Sequence, residues 1–237
     1  MAARKLSPLD GGLAGSPFQA KSGADFWSRH LTLARQSAIP KGRVIFSQGD
    51  VCDHFYYLES GRVKMYLTSA AGGTRAISLI EAGNAFGEAA CFDGLPAYLS
   101  AAAMTACTLY IFPREAVLKA MSADPLMLSE ALRALVRRQR MLAMQIEATA
   151  FLKGPARMAL LLCHLAATAG VKRPGGGTEI RPGASLEDIA SLFGLSRITA
   201  SRELNAMIRK GIVQREGRTL VIKDERSLWA RLSQEEF

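Results

Sequence analysis

LEDIASLFGLSRITASRELNAMIRK, residues Leu186 to Lys210, reads as two short amphipathic helices joined at Gly194. The first carries Ile189, Ala190 and Phe193 on one face, the glycine permits a left-handed turn, and Ser196 is placed to cap the second helix. The second helix sets Ser196, Arg197, Thr199 and Arg202 along one side, where side chains can reach phosphates and base edges in a DNA major groove. The pattern predicts a helix-turn-helix. A helix pair of this spacing also occurs as plain structure, so its surroundings matter. GIVQREGRTLVIKD follows at once, Gly211 to Asp224, with β-prone runs on either side of a turn at Glu216 and Gly217. A solvated hairpin would explain that run alone; together with the helix pair it predicts a winged helix-turn-helix.

Composition agrees with a polyanionic partner. The chain has 237 residues, enough for about two domains, with 49% hydrophobic and 22% charged residues, as in a globular protein. Its formal charge is +9 and its pI about 9.7, which favours phosphate neutralisation and counterion release. Membrane surfaces are polyanionic too. No run approaches the roughly 18–20 apolar residues that span a bilayer, and MAARKLSPLDGGLAGSP at the start lacks the apolar core of a secretory signal. The expectation is a cytoplasmic protein with no membrane partner.

Catalytic and metal chemistry find little support. Cys52, Cys91, Cys107 and Cys163 show no CxxC spacing, and His30, His54 and His164 no HxH or HExxH arrangement. His164 sits among Leu160, Leu161, Leu162 and Leu165, as a core histidine would. A redox input through Cys91 or Cys107 is weighed against inert thiols, and the inert reading prevails. There is no GxSxG or Walker-type loop and no triad spacing, so an enzyme is not expected.

Working towards the N-terminus, the break at Lys153 and Gly154 before Pro155 divides the winged segment from a long helix that starts near Pro125. Leu128, Leu132, Leu135, Gln139, Leu142, Ile146 and Thr149 alternate four and three residues apart, with Arg133, Arg137, Arg138 and Arg140 off the seam. A core stripe against the chain's own domain would give leucines at helical spacing, but the strict alternation favours a parallel two-stranded dimer. Such a dimer presents its recognition helices about 34 Å apart, as a palindromic site requires. Before the helix, Gly42 to Pro113 is a series of short β runs with glycines at 42, 49, 61, 83, 87 and 94, the texture of a compact β-roll. The expected fold is therefore α+β. Its parts are a flexible leader over 1–22, a jelly-roll-like double-stranded β-roll domain over 23–124 opening with a short helix over 24–36, a long dimerisation helix over 125–152, and a winged helix-turn-helix over 153–237.

In this order the parts resemble the CRP/FNR family of bacterial transcription regulators. The resemblance runs from about Gly42 onwards and is carried by KGRVIFSQGD, FYYLESGRVKMY, the cassette FGEAACFDGLPAY at Phe86 to Tyr98, AFLKGPAR at Ala150 to Arg157, and GLSRITASREL at Gly194 to Leu204. It implies a homodimer in which a small-molecule effector, sensed between β-roll and long helix, shifts the DNA-binding domains towards an arrangement that grips double-stranded DNA and works with RNA polymerase. An effector with equal affinity for both arrangements would move nothing.

The cassette departs from the cyclic-nucleotide branch. Members of that branch resemble FGE followed by a short turn and PRS, whose arginine and serine grip the cyclic phosphate; here Pro96 is followed by Ala97 and Tyr98. The helix positions that offer hydroxyls to the purine match Leu142 and Ala143, which have none. Cyclic AMP is thus disfavoured. Gly87 and Glu88 persist, either as pocket members or as a turn glycine and a local hydrogen-bonding group. The oxygen-sensing branch holds an iron-sulfur cluster on N-terminal cysteines, and residues 1 to 51 contain none, so that cluster is excluded. The expected effector pocket is Phe86, Gly87, Glu88, Cys91, Ala97, Tyr98, Leu142 and Ala143, suited to haem, a small aromatic or another uncharged ligand. FYYLESGRVKMY and the cassette tyrosine are most similar to the nitric-oxide-responsive branch, which implies haem as a candidate cofactor, with His30 and His54 as conceivable axial ligands against the plainer reading of surface or core histidines.

For DNA, the family's recognition helix resembles SRETVxR. Ser196, Arg197, Thr199 and Arg202 match it as phosphate and base contacts, while Ile198 stands where the glutamate would be and cannot accept from cytosine N4. Glu203 falls where related motifs are commonly apolar. Two rival readings stay open: a ligand-binding module whose helix-turn-helix contacts protein, and a constitutive DNA binder with an empty sensor pocket.

Overall fold

In the computed structural model, residues 27, 29–181 and 185–233 are described, and the chain divides into two compact units between Gln139 and Arg140. The expected leader over 1–22 lies outside the described residues.

The first unit starts from a 3-10 turn, Leu31–Leu33, and strand β1, Arg35–Ile39. The short helix expected over 24–36 is not what forms at its described end: Arg35 and Gln36 already pair with Ile111 and Tyr110. Ladder hydrogen bonds from a neighbouring strand outweigh a weak local helix preference. The further strands are β2 Val44–Phe46, β3 His54–Ser60, β4 Arg62–Thr68, β5 Thr74–Glu81, β6 Asn84–Phe86, β7 Ser100–Ala103 and β8 Cys107–Pro113. They make two antiparallel four-stranded sheets, ordered β1-β8-β3-β6 and β2-β7-β4-β5.

The alternation along β3 explains why FYYL is apolar throughout. Tyr56 and Leu58 point into a core shared by both sheets with Phe46, Val63, Met65, Ile80 and Phe86. Phe55 and Tyr57 point the other way, into a second core with Trp27, Cys91, Phe112, Val117, Met121, Met127 and Ala131. That second core is covered by α1 Glu88–Asp93, α2 Arg114–Ala123 and the start of α3 Pro125–Phe151. Asp124 begins α3, its Oδ1 accepting the Leu126 N–H at 2.9 Å, with Pro125 in the first turn.

Along α3 the heptad seam is neither buried nor uniformly apolar. Leu128, Leu132, Gln139 and Ile146 are exposed, Leu135, Leu142 and Thr149 half-buried, and Val136 adds an exposed apolar side chain between them. Met127 and Ala131, one residue earlier in each case, are the positions that enter the second core.

The second unit, from Arg140, continues α3 to Phe151 and then runs α4 Gly154–Ala169, β9 Gly170–Lys172, β10 Thr178–Ile180, α5 Leu186–Leu192, α6 Arg197–Arg209, β11 Val213–Glu216, β12 Thr219–Ile222 and α7 Glu225–Ser233. Its antiparallel sheet is ordered β11-β12-β10-β9. Met158, Leu160, Leu161 and Leu162 of α4 are fully buried, as are Ile180, Leu192, Phe193 and Val221. His164 is among them at 0% exposure, as its neighbours in sequence suggest.

Candidate nucleic-acid interface and effector cavity

Local chemistry places α6. Ser185 starts α5 by accepting the Asp188 N–H at 3.1 Å, and Gly194 turns the chain with φ of 65°, a left-handed value that a side chain resists. Ser196 then starts α6, its Oγ accepting the Thr199 N–H at 3.2 Å and lying 3.0 Å from Thr199 Oγ1. The inward face of the helix buries Ala200, Glu203, Leu204 and Met207. Ser196, Arg197, Ile198 and Arg202 lie on the exposed side, with Thr199 half-buried behind its cap.

The exposed side extends beyond the residues expected from sequence. Ser201, Asn205 and Arg209 are exposed on α6 as well, continuing by helical spacing from Ile198 and Arg202. A helical projection of the motif carries that signal; matching residues to a family pattern does not. Ile198 is 79% exposed, so its aliphatic side chain is open to contact on this face.

The arginines are not equally free. Arg197 is only loosely attached, its Nε 3.8 Å from Glu187. Arg202 donates Nε and Nη2 to Oε1 of its neighbour Glu203, each at 2.9 Å. On the hairpin of β11 and β12, Arg215 and Arg218 are exposed, and Arg215 donates Nε to the Gly217 carbonyl at 3.2 Å. The hairpin is held from beneath by Arg173, which donates Nε to Glu179 at 2.7 Å and Nη1 and Nη2 to Glu216 at 3.1 and 2.8 Å. These contacts keep both carboxyls below the usual carboxylate range.

In the first unit, Phe46, Cys52, Met65, Gly87, Glu88, Ala89, Ala90, Ala97, Tyr98 and Leu99 line a cavity of about 20 Å³. Of the pocket residues expected from sequence, Gly87, Glu88, Ala97 and Tyr98 are brought together there. Phe86 lies in the inter-sheet core, stacked on Tyr56 with centroids 5.1 Å apart, and Cys91 lies in the outer core instead. Leu142, half-buried, and Ala143, exposed, fall on the stretch of α3 that belongs to the second unit.

Gly87 and Glu88 have structural work here. Gly87 has φ of 82°, and a Cβ on it would come within 2.7 Å of the Tyr56 ring, so no other residue fits. Glu88 is buried at the start of α1; its Oε1 pairs with Arg138, which also donates to the Ala85 carbonyl. Arg138, expected off the seam, is thus turned inward, and the Glu88 charge is neutralised. Glu88 Oε2 is buried and has no hydrogen-bond partner among the described residues.

Among the described residues the lining holds no lysine, arginine or histidine, and the nearby Arg138 is already paired with Glu88, so a bound phosphate would have to compete for it. Haem finds no room there: the cavity is far below the roughly 300–1,000 Å³ of ligand pockets, although Cys52, Met65 and Tyr98 in its lining are side-chain types that can ligate iron. His54 Nδ1 sits 2.6 Å from Asp53, and His30 Nε2 is 3.9 Å from Asp124. Burial pushes the Cys91 thiol up to about 11, so it is not a ready thiolate, and Cys107 is buried with its Sγ donating to the Arg62 carbonyl at 3.3 Å. Among the described residues no group of His, Cys, Asp and Glu is arranged to hold a metal, and no helix is long and apolar enough to cross a membrane.

Residues 36–124 match the family model of the cyclic nucleotide-binding domain, and residues 156–231 that of the Crp-like helix-turn-helix domain. The chain is 30% identical to the cyclic AMP receptor protein of Thermus thermophilus over 93% of its length and 94% of that protein's. It is 29% identical to the CRP-like cAMP-activated global transcriptional regulator of Mycobacterium tuberculosis, over 81% and 85% respectively. Its fold is that of a CooA variant from Carboxydothermus hydrogenoformans, with a TM-score of 0.77 at 23% identity, covering 90% of this chain and 94% of that one.

Proposed function

Because this chain belongs to the CRP/FNR family, a DNA-binding transcription regulator and not an enzyme, we propose that it works as a cytoplasmic homodimer that binds a palindromic operator under the control of a small uncharged effector. The observation that carries the DNA reading is the exposed face of α6, where Arg197, Ile198, Ser201, Arg202, Asn205 and Arg209 stand beside the Arg215 and Arg218 hairpin. Ser196 and Thr199 at the helix start, with the backbone N–H groups of the first turn, suit phosphates; Arg202 and Asn205 suit base edges. The exposed Leu128, Leu132, Val136 and Ile146 on α3 support pairing with a second copy through the heptad seam. Recruitment of RNA polymerase belongs to the same reading.

Two of the relatives named above are a cyclic AMP receptor protein and a cAMP-activated regulator. Here Ala97 and Tyr98 replace the phosphate-gripping pair, no described lining residue is a cation and Arg138 is held by Glu88, which supports a different effector. A constitutive DNA binder is the second reading, favoured by the same small cavity volume. Titration of selected duplexes at rising salt tests the main one: log Kobs should fall linearly with log salt, steeply enough for several phosphate contacts. A salt-independent affinity would instead support protein contact through the helix-turn-helix. Equal operator affinity in crude extract and after exhaustive dialysis would leave the effector reading without support.

A further inference from the structure

The geometry points to Glu203 as a positioning residue that sets how Arg202 reads its base, an inference that rests on the proposed role of Arg202 in DNA recognition. Glu203 is 8% exposed, at the rim of an inward face that otherwise buries Ala200, Leu204 and Met207. A carboxylate there is costly unless paired. Its pair is the next residue in the chain, whose side chain is 67% exposed.

A guanidinium is a rigid plane with two useful donor edges, one formed by Nε and Nη2 and the other by Nη1 and Nη2. Glu203 Oε1 accepts from Nε and Nη2, both at 2.9 Å, and so occupies the first edge. Among the described residues no partner takes the second, which is the edge that can donate in parallel to O6 and N7 of guanine. Holding one edge on a buried carboxylate fixes the plane of the other. A free arginine surrenders rotamer freedom when it meets a base; this one is ordered beforehand. Glu203 therefore acts through Arg202 and needs no contact with DNA.

The test is selection from a pool of duplexes with a randomised core about two helical turns long, using the full chain and the variants Arg202→Ala, Glu203→Gln, Glu203→Leu and Arg202→Ala/Glu203→Leu. Arg202→Ala should flatten base preference at a symmetric pair of positions. Glu203→Leu, with its thermal transition confirming the fold, should flatten the same positions by about tenfold in discrimination while leaving affinity for unselected duplex unchanged. Glu203→Gln, which keeps an acceptor but not the charge, should retain part of the preference, and the double variant should select as Arg202→Ala does. If Glu203→Leu does not fold, Glu203→Gln decides alone. Wild-type base frequencies in the folded glutamate variants overturn the inference, as does tighter binding with unchanged preference, the mark of a latch that withholds Arg202. Should Arg202→Ala itself select like wild type, or the wild type select nothing, it is the DNA reading that fails.

Discussion

Arg157 donates Nη1 to the carbonyl oxygen of Gly194 at 3.4 Å, across 37 residues of sequence. The same guanidinium donates Nε to the Leu152 carbonyl at 2.7 Å and Nη2 to that of Thr149 at 3.0 Å. It thereby satisfies carbonyls that the end of α3 leaves without helical partners and ties them to the turn before the recognition helix. Arg157→Ala should lower stability by about 2 kcal/mol, with Arg157→Lys recovering only part, because an ammonium lacks the planar fork. Urea unfolding measures it; an unshifted midpoint would mean that water replaces these bonds at no cost.

The apolar stripe on α3 yields a second expectation. Ile146 is 65% exposed and Leu132 53%. A charge at either position should split the proposed dimer, so Leu132→Glu and Ile146→Glu should sediment as single chains and lose about a hundredfold or more in operator affinity, because each half-site must then be bound alone. Dimeric sedimentation of both variants would place the interface elsewhere.

His164 predicts an acid limit. Burial lowers its pKa from 6.5 to about 3, so the folded chain keeps the imidazole neutral while the unfolded chain protonates it. Its contribution is whole above pH 6.5 and is lost as pH falls from there towards 3, with a slope approaching roughly 1.4 kcal/mol per pH unit. Chemical denaturation across that window should show the slope, and His164→Leu should abolish it. The same slope in the variant would assign the effect to other groups.

Arg173 makes the hairpin acid-sensitive in its own way. Its hydrogen bonds lower the pKa of Glu179 and of Glu216, so the stability they confer is present above the ordinary carboxylate pKa of about 4.3 and fades as pH falls through the lowered values. In Arg173→Ala, amide exchange in β11 and β12 should quicken at neutral pH. Unchanged protection would show that the sheet alone holds the hairpin.

The legible parts of this fold are those whose physics is local. The turn at Gly194 and the cap at Ser196 each follow from a few adjacent residues, and each is found in place. What stayed hidden depends on residues distant in sequence. The helical pattern places Arg138 only off the seam, and it is the pairing with Glu88, fifty residues earlier in the chain, that turns it inward. Cys91 reads as a pocket residue because it stands in the cassette, but α1 directs it to the opposite core. The sequence sets Glu203 where related motifs are commonly apolar, but only the fold shows that this carboxylate is buried on that face and paired with its neighbour Arg202.

The bare isoleucine on α6 has a corollary for the chemistry of the genome it meets. In the docking proposed above, Ile198 would meet the C5-methyl group of a pyrimidine, and an aliphatic contact cannot tell a thymine methyl from that of 5-methylcytosine. Uracil in place of thymine at that step should weaken the complex, and cytosine methylation at a C·G step there should strengthen it. The reader would then respond to an epigenetic mark through a contact that carries no hydrogen bond.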